Sequence, residues 1–230
     1  MKATLMKLAF NTIAASALLS FSFTALALSD SATPATPDAP ATPQIAPTKP
    51  GLHFVLNGGL TYGGDIIDTA EYRDGSSTDI KAGALLQGGI GVLYQLENQP
   101  LALMMSVNYH FHSAMGSNGE DTFDRIPVEI LAYYTGKERF RIGGGVRILN
   151  SPEWNKSVDG FTQKATFENA TGLVAEIGYQ MSSPAWLNFR FVSEKYQAKS
   201  YTSTSGTTWS MVGSVPFSGS HLGVNYSYEF

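Results

Sequence analysis

The stretch LALMMSVNYHF, residues 101–111, alternates between two kinds of side chain with a period of two. One face carries no charge and consists of Leu101, Leu103, Met105, Val107, Tyr109 and Phe111. The other face is more polar and consists of Ala102, Met104, Ser106, Asn108 and His110. Because successive side chains of a β-strand point to opposite faces, this pattern predicts a strand with one fully apolar face.

Seven further stretches alternate in the same way, so the sequence predicts an all-β fold. The eight predicted strands cover about residues 53–66, 80–96, 101–113, 123–135, 139–150, 168–181, 186–200 and 217–230. Their connections alternate between tight turns, such as ENQP after Leu96, and long polar loops, such as SPEWNKSVDGFTQKATF. An even number of antiparallel strands with this asymmetry is typical of an eight-stranded transmembrane up-and-down β-barrel.

The length and the aromatic residues of the strands favour a membrane barrel over a soluble sandwich. Each strand runs about 12 residues, whereas globular strands have about five to six and a membrane crossing needs about 9–11. The apolar faces carry aromatic residues near their ends: Tyr62, Tyr94, Tyr109, Tyr134, Phe140, Tyr179 and Tyr228. Such rings form the girdles at the two interfaces of a membrane, whereas in a soluble barrel they would be exposed without a reason.

Two segments precede the predicted barrel. Residues 1–27 combine Lys2 and Lys7, an apolar run and the small-x-small sequence Ala25-Leu26-Ala27, which predicts a cleaved signal peptide. Residues 28–50 hold six prolines and no aromatic residue, so we expect a disordered Pro/Ala/Thr-rich linker in the periplasm. Residues 51–230 form the barrel domain.

Composition excludes several classes of function. The 230 residues include no cysteine, which excludes disulfides, thiol nucleophiles and cysteine-ligated metals. The formal net charge of −4 argues against nucleic acid as a partner, because such binding needs a basic surface. No residue pattern points to a cofactor, and none is expected.

The last strand, SHLGVNYSYEF, ends on Tyr228 and Phe230. With the signal sequence, the eight strands and the alternation of turns and loops, it resembles the small outer-membrane barrels of the OmpA/OmpX type, over residues 51–230. The resemblance implies a monomer in the cell outer membrane, with both termini periplasmic and with membrane lipid and lipopolysaccharide as its surroundings. It also implies that Tyr228 and Phe230 are the assembly signal read by the barrel-insertion machinery. The larger members' peptidoglycan-binding domain is not carried over, because the sequence stops at the last strand.

The lumen of an eight-stranded barrel is nearly filled by side chains, so the charges on the inward faces should be paired. The tight turns place Glu176 across from Arg190 and Glu129 diagonal to Arg147. We therefore expect a lumenal network of six residues: Glu129, Arg141, Arg147, Glu176, Arg190 and Glu194. The alternative is a wet channel in which these charges are separately solvated.

Candidate reactive residues are few. His110 and His112 share one strand face and could reach one metal ion, but spacing assures no third ligand, so we expect structural or polar lumen residues, with a metal site as the alternative. His53 and His221 are expected nearer the opposite rim. Ser113, beside His112, points to the other face, so the spacing assembles no Ser-His-acid triad and no catalytic residue is expected. Three aromatic residues on the two longest loops are candidates for partner contacts: Trp154, Tyr201 and Trp209. The alternative is that they mark the outer interface or fold the loops onto the rim.

The sequence favours a structural or surface-interaction role for a barrel with a filled lumen. Two alternatives remain open. One is a narrow channel or carrier for small apolar ligands, and the other is a lipid A-modifying enzyme that would use His110 or His112.

Overall fold

The computed structural model describes residues 49–230. Within this range the chain forms strands, and none of its segments is a helix long and apolar enough to cross a membrane. The predicted signal peptide, and the predicted linker up to residue 48, lie outside the described residues. The strands, in chain order, are β1 (Gly51–Gly63), β2 (Ile66–Glu71), β3 (Ser77–Lys81), β4 (Leu85–Gln95), β5 (Leu101–Gly116), β6 (Gly119–Lys137), β7 (Phe140–Val158), β8 (Phe161–Phe167), β9 (Ala170–Ser182), β10 (Ala185–Ser193), β11 (Lys195–Tyr196), β12 (Ala198–Thr202), β13 (Thr208–Ser210), β14 (Phe217–Ser218) and β15 (His221–Glu229).

Eight of these strands close into an antiparallel barrel. Neighbours pair in the order β7, β6, β5, β4, β1, β15, β10, β9, and β9 pairs back with β7. Every pairing is antiparallel. Barrel strands that follow each other in the chain lie side by side, and the first and last strands, β1 and β15, pair with each other. The prediction of an eight-stranded up-and-down β-barrel is therefore confirmed.

The barrel has two different ends. At one end the chain makes tight turns, at residues 96–100, 138–139 and 183–184, and this end also holds Gly51 and Phe230; we call it the turn end. At the other end, the loop end, the chain makes long excursions between the barrel strands. Side chains alternate along each strand between the lumen and the outer surface, as a strand period of two requires.

The long connections predicted at the loop end are present, but they form strands to a large extent and not irregular loops. The β2–β3 hairpin fills the first excursion, and β5, β6 and β7 run on to Gly116, Gly119 and Val158. β8 pairs with the extended part of β7, β12 with β8, and β13 with β12. We call this whole extension the crown; it includes the β2–β3 hairpin and the short β11–β14 pair. The polar residues of these segments are compatible with strands because only one face of the crown is buried.

An apolar cluster fills the inside of the crown. Phe123 and Phe167 pack edge to face, with ring centroids 5.4 Å apart, and Tyr196 completes the stack at 5.5 Å from Phe123. The cluster consists of Ala70, Ile80, Ala82, Ala114, Phe123, Leu149, Trp154, Phe167, Tyr196 and Ala198. It lies at the loop end, where Phe123 contacts the lumenal Arg125.

The outer surface of the barrel below the crown is apolar. Its exposed side chains include Phe54 and Leu60 on β1, Met105 on β5 and Ile177 on β9, each at least 52% exposed. Aromatic side chains mark both edges: Tyr94, Tyr134 and Phe140 near the turn end and Tyr62 and Tyr109 near the loop end. Residues 52–62 of β1 define the height of this band, about 25 Å at a rise of about 3.3 Å per residue and a tilt of about 40°.

Candidate functional site

The lumen is lined with buried charges. Within the described chain it contains four arginines and four glutamates, each at most 5% exposed. They are Arg125, Arg141, Arg147, Arg190, Glu129, Glu176, Glu194 and Glu229. Formal charges of this set cancel, which lowers the cost of keeping ionised groups away from water.

Glu129 lies at the centre of the lumen and binds two arginines. One of its carboxylate oxygens accepts a hydrogen bond from Arg147 at 2.8 Å and the other accepts one from Arg190 at 2.7 Å. The Nε of Arg147 lies 3.0 Å from a carboxylate oxygen of Glu194. Glu129 and Arg147 are directly opposite in the β6–β7 register, not diagonal as expected. A single cluster of two arginines and two glutamates therefore crosses the barrel.

Arg190 and Glu176 occupy opposite register positions on β10 and β9, as the turn at residues 183–184 predicted. Their hydrogen bonds nevertheless go to other residues. Glu176 accepts from the Tyr133 hydroxyl at 2.9 Å, and Arg190 donates to Glu129. Strand register fixes which residues are neighbours, whereas side-chain length decides which of the surrounding groups each one reaches.

A second cluster lies at the turn end, around Arg141. This guanidinium donates to Glu229 at 2.6 Å and to Asn188 at 2.9 Å. It is also stacked between two rings, 4.4 Å from the Trp186 centroid and 4.5 Å from the Tyr133 centroid. Aromatic faces and a carboxylate together stabilise a buried cation.

Sequence reasoning missed two members of the lumenal set. Arg125 is four residues before Glu129 on the same face of β6, and Glu229 alternates with the outward Tyr228 and Phe230 on β15. The period of two placed both on an inward face, so the pattern could have identified them. Arg125 packs against the Phe123 ring at 4.6 Å, which joins the charged lumen to the apolar crown.

Three of the four histidines lie near the loop end, which corrects the expected position of His221. The His110 and His221 rings meet edge to face, with centroids 5.2 Å apart, because β15 begins at the loop end. His53 is at the turn end, where its ring nitrogen lies 2.7 Å from the Lys49 carbonyl. Among residues 49–230, no group of three or more metal-ligating side chains is arranged to hold an ion.

His110 is enclosed by polar groups. Its Nε2 lies 2.8 Å from both Thr61 Oγ1 and Arg125 Nη2, and its Nδ1 lies 2.8 Å from Arg147 Nη2. A neutral imidazole accepts at one nitrogen only, so at most one of the two arginines donates to it. The arrangement holds the ring inside the charge network, where it is 0% exposed.

Ser106 and His112 also take part in structural contacts. The Ser106 hydroxyl accepts a hydrogen bond from the Asn108 amide at 3.1 Å. His112 Nδ1 accepts the backbone N–H of Lys81 at 2.9 Å, which ties β5 to the β2–β3 hairpin.

The three aromatic residues proposed for partner contacts have different positions in the crown. Trp154 is only 5% exposed and donates its Nε1–H to Asp121 at 2.7 Å, so the expectation that it contacts a partner was wrong. Tyr201 is half-buried against the apolar cluster. Trp209 pairs with Tyr201 at 5.7 Å between ring centroids and is 48% exposed. Of these three residues, Trp209 is thus the one whose ring is exposed.

The two residues predicted to be an assembly signal lie together at the end of the last strand. Tyr228 and Phe230 face outward, with ring centroids 4.7 Å apart, and Phe230 is 67% exposed. The backbone N–H of Phe230 donates to the Phe54 carbonyl at 2.8 Å, next to the seam between β1 and β15.

Three solved structures are similar to this chain at low sequence identity. Neisserial surface protein A matches at 11% identity and a TM-score of 0.45, over 78% of this chain and 97% of its own. A major outer membrane protein from Thermus thermophilus matches at 12% identity and a TM-score of 0.43, over 78% and 99%. The outer membrane protein AlkL matches at 17% identity and a TM-score of 0.38, over 88% and 97%.

No protein-family model matches the chain, and no curated protein matches it. The solved structures resemble it too distantly to assign a ligand or an activity. Its function must therefore be inferred from its own residues.

Proposed function

We propose that this chain is an outer-membrane barrel with a closed lumen, which acts through its exposed crown as a structural or surface-interaction protein. The observation that carries the proposal is the lumen, which is crossed by paired charges and covered by an apolar cluster. Such an interior stabilises a barrel wall and leaves no continuous water path.

The outer surface supports the membrane location. A band of exposed apolar side chains about 25 Å high, bordered by aromatic rings, is the surface that a hydrocarbon layer and its two interfaces require. In water, the same surface would be an exposed apolar patch far larger than soluble proteins carry. In this orientation the turn end faces the periplasm and the crown faces the outside, with outer-leaflet lipopolysaccharide around it. We further propose that the protein is a monomer and that Tyr228 and Phe230 are read by the insertion machinery.

The buried charges of the lumen favour a closed barrel and not a wet channel. Glu129, Arg147 and Glu194 are each at most 2% exposed, so water does not reach them as it would in an open pore. Direct contacts of 2.7–3.0 Å join them and Arg190, which leaves no gap for a solvating water between the paired atoms. The apolar cluster of the crown adds a second barrier, above the charges.

The crown supports a role at the surface. Beside Trp209, the segment between β13 and β14 exposes Val212 at 72% and Val215 at 83%. Exposed apolar side chains on a polar strand scaffold are a usual feature of contact surfaces, because their burial against a partner is favourable. The contact residues we propose are therefore Trp209 and this segment, with Tyr201 supporting the Trp209 ring.

Planar-bilayer recording of the purified protein tests the closed lumen. We expect no stable conductance from the wild type. A matched pair of variants sharpens the experiment: Glu129→Ala removes the central carboxylate, and Glu138→Ala removes an exposed carboxylate from a turn. Stable, porin-like conductance from the wild type would refute the closed lumen.

Mass spectrometry of lipid A and of co-purified molecules separates the proposal from its two alternatives. Cells with and without the protein should contain lipid A of identical mass, and the purified barrel should carry no apolar ligand. A mass change that His110→Ala or His112→Ala abolishes would establish a lipid-modifying enzyme instead. A stoichiometric apolar ligand would establish a carrier.

A further inference from the structure

The β2–β3 hairpin covers the mouth of the barrel. Its inward side chains Ala70 and Ile80, with Ala82 just after β3, belong to the apolar cluster that closes the lumen. At its base the hairpin is joined to β1 through Gly63 and Gly64, which both have positive φ. Backbone of this kind can absorb a change of direction, so the base is a natural hinge.

Near its middle the hairpin is held to the rest of the crown by two carboxylates and one ammonium group. Lys156 of β7 donates to Asp68 of β2 at 2.5 Å, and its Nζ lies 3.6 Å from Asp121 Oδ2 of β6. The carboxyl groups of Asp68 and Asp121 are themselves within hydrogen-bond reach of each other. These contacts join the hairpin to two different strands of the crown.

The surroundings of Asp121 favour a protonated carboxyl group. Its residue is 1% exposed, and its Oδ1 accepts the Trp154 N–H at 2.7 Å. Oδ2 accepts no hydrogen bond from any described donor, so it is the oxygen free to bear the hydrogen that is donated to Asp68. Burial, and next the hydrogen bond to Asp68, raise the pKa of Asp121 to about 7.

We infer that a proton shared between Asp68 and Asp121 latches the β2–β3 hairpin over the barrel mouth, and that loss of this proton loosens the hairpin. While Asp121 is protonated, it donates to Asp68, and Lys156 balances the one remaining negative charge. After ionisation, two adjacent carboxylates share a single ammonium group, and they repel each other across the hairpin–crown contact.

The other charged groups around the latch do not compensate for the lost proton. Glu71 and Glu120 line the open cleft of about 510 Å³ beside it and add further negative charge. Arg73, near the hairpin tip, is paired with Asp159 in the turn after β7, and this ion pair is a separate contact between the hairpin and the crown. Asp79 of β3 accepts a hydrogen bond from the Thr69 hydroxyl at 3.0 Å.

His112 also contacts the hairpin, at the end of β3. Its Nδ1 lies 2.9 Å from the Lys81 nitrogen and 3.3 Å from the Lys81 carbonyl oxygen, so this nitrogen has a hydrogen-bond partner in either protonation state. Burial holds the pKa of His112 below its usual value of 6.5. His112 therefore does not oppose the latch, which is closed in mildly acidic solution and loosens as the pH rises through 7.

The sign of the effect follows from proton binding. The docked hairpin binds the Asp121 proton more tightly than the undocked hairpin, in which the pKa of Asp121 returns towards 3.8. The contribution of this proton to docking is therefore strongest at low pH, weakens as the pH rises, and levels off above about 7. Between pH 6 and pH 8.5 a pKa of about 7 gives a drop of about tenfold in the docking constant.

Distance measurement between two spin labels tests the latch on the whole barrel. The sequence contains no cysteine, so Ser77→Cys on the hairpin and Ser157→Cys on the crown can be labelled without background. Both positions are exposed. We expect a narrow, short distance distribution at pH 6 and a growing long-distance population by pH 8.5.

Two variants distinguish ionisation of Asp121 from other effects of pH on the measured distance. Asp121→Asn cannot ionise but keeps both hydrogen bonds, so it should hold the short distance at both pH values. Glu120→Gln removes an exposed neighbouring carboxylate and should respond to pH as the parent does. Should Asp121→Asn fold poorly, Asp68→Asn also removes the paired charge and should flatten the response. Unchanged distances in the parent, or a full pH response in Asp121→Asn or in Asp68→Asn, would overturn the latch.

Discussion

Removal of the Glu129 carboxylate is the sharpest test of how the lumen stabilises the barrel. The Glu129→Ala variant leaves Arg190 without the carboxylate that it contacts at 2.7 Å, while Arg147 keeps Glu194 at 3.0 Å. An uncompensated buried charge of this kind costs about 3–5 kcal/mol. We therefore expect the free energy of unfolding to fall by about this amount.

The matched control is Glu138→Ala, which removes a carboxylate from an exposed turn and should change the unfolding free energy by less than about 0.5 kcal/mol. A second variant, Glu129→Met with Arg190→Met, removes the whole pair. Replacement of a complete buried ion pair by apolar residues is often neutral or stabilising, so this double variant should recover most of the loss.

Urea unfolding of the barrel in phospholipid vesicles, followed by tryptophan fluorescence, measures all three variants. The reasoning is wrong if Glu129→Ala is as stable as Glu138→Ala, because the lumenal charges would then be solvated separately. It is equally wrong if the double variant is less stable than Glu129→Ala.

Three further predictions concern the crown, the outer band and the strand packing. Phe123→Ala should destabilise the crown by about 3–5 kcal/mol, because a buried ring is lost from the apolar cluster; limited proteolysis should then cleave the crown while the barrel stays intact. Ile130→Lys places a charge in the lipid-facing band and should cost about 2–4 kcal/mol in vesicle unfolding experiments, against a small effect for Ile130→Ala. Gly59→Ala should impair folding, since a Cβ there would lie 2.2 Å from the Val224 carbonyl oxygen, whereas Gly58→Ala has only a 3.7 Å contact to meet and should be tolerated in the same refolding assay.

Much of the barrel could be predicted because its wall depends on a local pattern. The alternation in residues 101–111 places Met105 outside and Ser106 inside whatever the rest of the chain does. Tight turns then fix the register of their two strands, so that Glu176 and Arg190 become neighbours on β9 and β10. Both inferences use only the period of two and the length of a turn.

The crown could not be predicted in this way. In SPEWNKSVDGFTQKATF, the proline, glycine and charges indicate a loop, yet most of the stretch forms the end of β7 and the strand β8. Its strands are stabilised by Trp154 and Phe167 packing on Phe123, which belongs to an earlier strand, β6. Contacts between residues far apart in the sequence override local propensity, so a polar composition misleads.

The lumenal site was likewise predicted in part from the sequence. Six charges were predicted there, and the alternation also places Arg125 and Glu229 on inward faces of their strands. Only the tertiary structure decides that Glu129 binds both Arg147 and Arg190, or that Arg141 reaches across to Glu229 on the last strand. The turn at residues 138–139 sets Glu129 opposite Arg147, whereas closure of the barrel, and no turn, brings Glu129 to Arg190 and Arg141 to Glu229.

The sequence by itself determined the strands, the two faces of the wall and the closed eight-stranded fold, because a period of two and short turns act between neighbouring residues. The tertiary structure alone decided how the lumenal charges pair, how the crown covers the mouth, and that Asp68 and Asp121 meet there. These features depend on side chains that are far apart in the chain, and only closure of the barrel brings them within a few ångströms of each other.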